Sequence, residues 1–129
     1  MDIDEAYIKD RAEKVTERDI EFVREHEEEI RGRFLGKGPL GKFVEEVLLG
    51  IALVKDYALG RYRKVPYWAI GAIVFMLLYV LSPVDLIPDV LIGIGQVDDV
   101  LVVTLCLMLV RQEIHQYKSW WEIHREDYD

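Results

Sequence analysis

The spacing of apolar residues divides the chain into helical segments of two kinds. Residues 4–34 are charged on most sides, with Ile20, Val23, Ile30 and Phe34 forming one narrow apolar stripe at helical spacing. Thr16-Glu17-Arg18-Asp19 resembles a capping box with Asp in place of Glu or Gln, which predicts a break near Thr16. Gly36-Lys37-Gly38-Pro39-Leu40-Gly41-Lys42 is rich in breakers and predicts a turn between helices. From Leu40 to Gly60 the helical pattern resumes. Phe43, Val44, Val47, Leu48, Ile51 and Ala58 fall on one side, with Glu45, Glu46 and Asp56 off that stripe.

The second kind of segment has no polar face. Val65 to Val84 is a run of 20 residues without a charge, apolar all round between Tyr67 and Leu81. A helix of that composition belongs in a large core or in lipid, and crossing a bilayer takes roughly 20 residues. Val100 to Val110 is a shorter uncharged run, too short to cross alone, and it continues as a helix with one apolar face to Trp121. Laid antiparallel, the two helices bring Arg61, Arg63, Lys64, Arg111 and Lys118 to one end, beside Tyr67, Trp68, Tyr117, Trp120 and Trp121. Basic residues flanked by aromatics mark a cytoplasmic membrane interface. The predicted fold is all-α: an antiparallel apolar hairpin preceded by amphipathic helices. The expectation is a hairpin in the cytoplasmic membrane with both termini in the cytoplasm. A helical oligomer that buries the same surfaces between copies is the alternative.

Charge follows the same division. The chain of 129 residues carries a net charge of −8, and residues 65–110 hold four aspartates and no basic residue. Such a balance, without a basic groove, argues against nucleic acid as a partner. The single cysteine, Cys106, lies between two leucines and reads as a packed apolar residue. The acidic start, Met1-Asp2-Ile3-Asp4-Glu5, is unlike a signal peptide. Residues 36–43 nearly spell a phosphate-binding loop, but Phe43 stands where a hydroxyl is required and Pro39 removes a backbone donor. His26, His115 and His124 are solitary, and no nucleophile or metalloprotease motif is present, so no catalytic residue is assigned.

Candidate chemistry concentrates in Ser82-Pro83-Val84-Asp85-Leu86-Ile87-Pro88-Asp89, which leads through Gly93 and Gly95 to Asp98-Asp99. On one reading every carboxylate has a structural role. Ser82 is an N-cap, Pro83 suits the first helical position, Asp85 sits where it bonds back to the cap, and Pro88 keeps the turn short. Asp98 and Asp99 then open the last helix at the positive end of its dipole. On the other reading Asp85, Asp89, Asp98 and Asp99 converge on a hard cation, magnesium or calcium.

These residues also carry a resemblance. The stretch LLYVLSPVDLIPDVLIGIGQVDDVLVV resembles the core of the YkvA-like family, the domain of unknown function numbered 1232. The match runs from about Lys64 to Trp121, with Ser82, Pro83, Asp85, Pro88, Asp89, Asp98 and Asp99 intact. It implies a small, mostly helical, membrane-associated domain and brings no catalytic assignment. The expected organisation is 1–60 as charged N-terminal helices, 61–121 as the hairpin and 122–129 as an acidic tail. The expected role is a non-enzymatic membrane anchor or interaction module, with residues 1–60 meeting a protein partner or a second copy. A cation-binding or ion-linked protein using the four aspartates is the alternative.

Overall fold

The apolar run that starts at Val65 finds its surroundings within the chain itself. The structure is a computed structural model that describes residues 5–35, 39–81 and 99–124. Its helices are α1 (Glu5–Glu13), α2 (Glu17–Glu25), α3 (Glu27–Leu35), α4 (Val44–Ala58), α5 (Tyr67–Leu81) and α6 (Asp99–His124), with a 3-10 turn at Pro39–Phe43 ahead of α4. No strand occurs among the described residues, and the fold is all-α as predicted.

Helix α5 is the axis of the molecule. Ala69 to Leu77 are buried without a gap, as are Tyr79 and Val80, so the helix has no solvent face. Helices α1, α2, α3, α4 and α6 all pack on it, α1 and α6 most extensively. Each fully buried aliphatic or aromatic side chain contributes roughly 1.5–3 kcal/mol. The charged N-terminal helices supply one wall of this core through Ile8, Ala12, Ile20, Val23, Ile30 and Phe34.

Two local features set the entry of these helices. The capping box at Thr16 forms: Asp19 N–H donates to Thr16 Oγ1 at 3.3 Å, and Thr16 N–H donates to Asp19 Oδ2 at 2.9 Å. A further break, at His26, was not expected from the stripe. There the backbone N–H is shared between the carbonyls of Phe22 and Val23, and α3 begins at the next residue. The sequence contains the opening for it, since 24–29 holds no apolar residue to keep one continuous face inward.

Helix α4 ends in a left-handed glycine. Gly60 has φ of 79°, and the N–H groups of Arg61 and Tyr62 both donate to the Asp56 carbonyl, at 2.8 and 3.3 Å. That turn delivers Tyr62 to the last turns of α6, its ring 5.2 Å from Tyr117 and 5.1 Å from Trp120. The approach to α5 therefore lies beside the end of α6, and the two helices run antiparallel.

The expectation of a membrane-spanning helix is corrected here. No helix among the described residues is long and apolar enough to cross a membrane. Helix α5 has 15 residues, about 22 Å at ~1.5 Å per residue against a hydrocarbon layer of ~30 Å. Its uniform apolarity reflects enclosure by five other helices of the same chain. The premise that a short chain cannot enclose such a helix does not hold, because α1 to α3 turn their few apolar residues onto it.

Candidate functional site

Most of the acidic stretch expected to carry the chemistry lies outside the described residues: Ser82, Pro83, Asp85, Pro88, Asp89, Gly93, Gly95 and Asp98. Only Asp99 is reached, as the first residue of α6, where the sequence placed the start of a helix. Among the described residues, no group of three or more His, Cys, Asp or Glu is placed to hold a metal ion.

The basic and aromatic residues at the other end of the hairpin are mostly engaged within the chain. Arg61 pairs with Asp56 at 3.4 Å, and Arg63 lies over the Tyr57 ring at 4.4 Å. Tyr67 donates its hydroxyl hydrogen to the Val15 carbonyl at 2.5 Å, tying the start of α5 to the turn before α2. Lys9 sits 5.4 Å over the Trp68 ring. Trp120 stacks on His124 at 4.7 Å and meets Tyr62 and Tyr117. Lys64 is exposed, and Trp121 is 38% exposed.

At the centre of this end is a residue the apolar stripe had placed on the outside. Asp56 is only 9% exposed. Its carboxylate accepts the Tyr117 hydroxyl at 2.5 Å and pairs with Arg61, while its carbonyl accepts the two N–H groups that follow Gly60. Burial, together with the hydrogen bond to Asp56 and its charge, pushes the Tyr117 phenol well above its ordinary pKa. Burial and the Glu113 charge raise Tyr62 as well. The signals available beforehand were Leu53 three residues earlier and Gly60 four residues later, which together place Asp56 on the inner side of a closing turn.

Two surface features remain. A groove follows the seam of α4 and α6 as two adjoining hollows of about 340 and 230 Å³. Leu48, Leu49, Ala52, Ile114 and Tyr117 form its floor. Two long ion pairs cross it, Arg111 to Glu46 at 3.4 Å and Lys118 to Glu45 at 3.5 Å. Separately, the first half of α6 presents Leu101 and Met108, 46% and 58% exposed, in the uncharged run from Val100 to Val110.

What fold and surface define is an all-helical protein built around an enclosed apolar helix and its antiparallel partner. Residues 69–105, from most of α5 through the acidic SPVDLIPD and DD stretch to the start of α6, match the family described as "Protein of unknown function (DUF1232)". That match supports the resemblance to the YkvA-like DUF1232 family that the SPVDLIPD and DD residues carry. A relative named "Uncharacterized membrane protein YkvA", from Bacillus subtilis (strain 168), is 29% identical over 79 residues, 61% of this chain and 74% of its own length. No solved structure matches.

Proposed function

We propose that this chain is a non-enzymatic, membrane-associated helical module that rests on the bilayer by one face. The observation that carries the reading is the uncharged, outward-facing first half of α6, where Leu101 and Met108 stand exposed on one side of the helix. Leu105 and Leu109 are partly exposed nearby. The relative's name, a membrane protein, supports lipid as what that face meets. A helix lying in the interface binds through its apolar face without crossing the hydrocarbon layer, which suits a chain in which no described helix is both long and apolar enough to span. The charged outer sides of α1 to α3 are then left toward the aqueous phase, where a protein partner would dock.

The test is flotation of the purified chain with phospholipid vesicles, in zwitterionic and anionic compositions and without detergent. The wild type floats with vesicles. Leu101→Glu with Met108→Glu, both on exposed positions, lowers the bound fraction by about tenfold or more, since a carboxylate in an apolar contact is costly. Wild type left entirely in the aqueous fraction with both compositions rejects the reading.

A further inference from the structure

We infer that the groove between α4 and α6 is a self-association surface, closed by the same groove of a second copy. Its two banks carry opposite charge. The α4 bank bears Glu45 and Glu46, and the α6 bank bears Arg111 and Lys118, with His115 between them. A two-fold axis running along the groove turns the α4 bank of one copy over the α6 bank of the other, so acid meets base on both sides. The contact is isologous and closes at two copies.

The apolar floor supplies the area. Leu48, Leu49 and Ala52 are only partly buried, and Trp121 stands at the margin, 38% exposed. Tyr117 and Ile114, buried beneath them, hold the floor in place. Aromatic and aliphatic groups inside a charged rim are the usual composition of an association surface.

Local charge balance selects a second copy over other occupants. The whole chain carries −8, which opposes contact between copies at most orientations. The rim of this groove holds two acids and two bases, so it is neutral where the rest repels. It also offers no unopposed positive field to draw an anionic lipid surface, because each base is already held by a glutamate. Those pairs are long, at 3.4 and 3.5 Å, and their side chains are substantially exposed. Pairs of that kind contribute little alone. A carboxylate can accept from more than one cation, so stacking two copies extends each pair into a four-charge network without breaking it.

The membrane-facing residues proposed above do not overlap this surface. Leu101 and Met108 lie in the first half of α6, whereas Arg111, Ile114 and Lys118 lie further along the same helix.

The experiment is sedimentation equilibrium on the full chain and on two charge-reversed forms, Glu45→Lys with Glu46→Lys and Arg111→Glu with Lys118→Glu. The wild type is a dimer whose dissociation constant rises with salt. Each reversed form alone places like charge over like charge and dissociates at least about tenfold more readily. An equimolar mixture of the two restores dimers, each made of one copy of each form. Circular dichroism confirms that both remain helical. Glu45→Gln with Glu46→Gln, milder on the same exposed bank, weakens the dimer in the same direction if either reversal disturbs folding. A monomeric wild type, reversed forms that dimerise as the wild type does, or a mixture that stays monomeric overturns the inference. So does a wild type that is monomeric in solution and held by anionic vesicles through Arg111 and Lys118.

Discussion

The Tyr117 hydroxyl donates a 2.5 Å hydrogen bond to the carboxylate of Asp56, joining positions 61 residues apart in sequence. Helix α4 is thereby fastened to α6 at the point where Gly60 turns the chain toward α5. The ring of Tyr117 is also packed edge-on against Tyr62. Phenylalanine at this position keeps the ring contact and removes the donor. Tyr117→Phe is therefore expected to lose roughly 1.5–3 kcal/mol, the range for a hydrogen bond to a charged group. Asp56→Ala removes the other partner and leaves the hydroxyl buried without an acceptor. Urea unfolding of both single variants and the double variant measures the pair. The double variant should lose less than the sum of the two by at least about 0.5 kcal/mol. Strict additivity would mean that the hydrogen bond contributes nothing to the fold.

The same tyrosine gives the protein an alkaline limit. Its phenol is raised above the ordinary value of 10.0, chiefly by burial and then by Asp56. In the unfolded chain the proton leaves near pH 10, while the folded protein retains it. The folded state then binds more protons, so stability falls as pH rises. The contribution is complete below about pH 10 and is lost progressively above it. Tyr62 and Tyr67, also raised by burial, add to the same slope. Urea midpoints across this range should decline in the wild type and decline less steeply in Tyr117→Phe. Identical slopes would remove Tyr117 as a cause.

A tighter contact joins α1 to α5. A methyl group on Gly71 would lie 2.0 Å from the carbonyl oxygen of Ala12 and 2.7 Å from its carbonyl carbon. The obstruction is backbone, so no side-chain rotation relieves it. Replacing a helical glycine by alanine ordinarily gains ~1 kcal/mol in helix propensity. Here the steric term outweighs that gain, and Gly71→Ala is expected to be destabilising by about 1–3 kcal/mol net, with α1 displaced. Thermal unfolding gives the sign directly. An unchanged or higher melting temperature would show that α1 does not press on α5 at this point.

The parts of the fold that were legible in the sequence are those set by local patterning. The box at Thr16 and Asp19, the turn before Phe43, the start of the last helix and the all-helical class depend on neighbours within a few residues. Ile20, Val23, Ile30 and Phe34 form a narrow apolar stripe in the sequence, and all four are buried. What the stripe faces was not legible. An apolar helix looks the same whether lipid or protein surrounds it, and the close approach of α1 to α5 at Gly71 and Ala12 joins small residues 59 positions apart. Asp56 was passed over for a related reason. A carboxylate among the polar positions of α4 becomes an inner residue only once Tyr117 and Arg61, from two other segments, supply partners.

Cys106 provides a test of that enclosure. It is fully buried on α6, and burial pushes its thiol well above the ordinary range, so little thiolate forms near neutral pH. Modification of the folded protein then requires opening of the core, and its rate reports that equilibrium. In native buffer, labelling should run at least about a thousandfold slower than in urea, in keeping with ordinary folding equilibria. Gly71→Ala should speed it. The comparison between reagents is the decisive part, made with vesicles present. If the chain's own helices surround α5 and the inner face of α6, a small apolar maleimide and a charged thiol reagent are excluded alike. A thiol facing lipid would instead react with the apolar reagent while the charged one was held off. Preferential labelling by the apolar reagent would return these helices to the bilayer interior and reverse the reading of α5 as an enclosed helix.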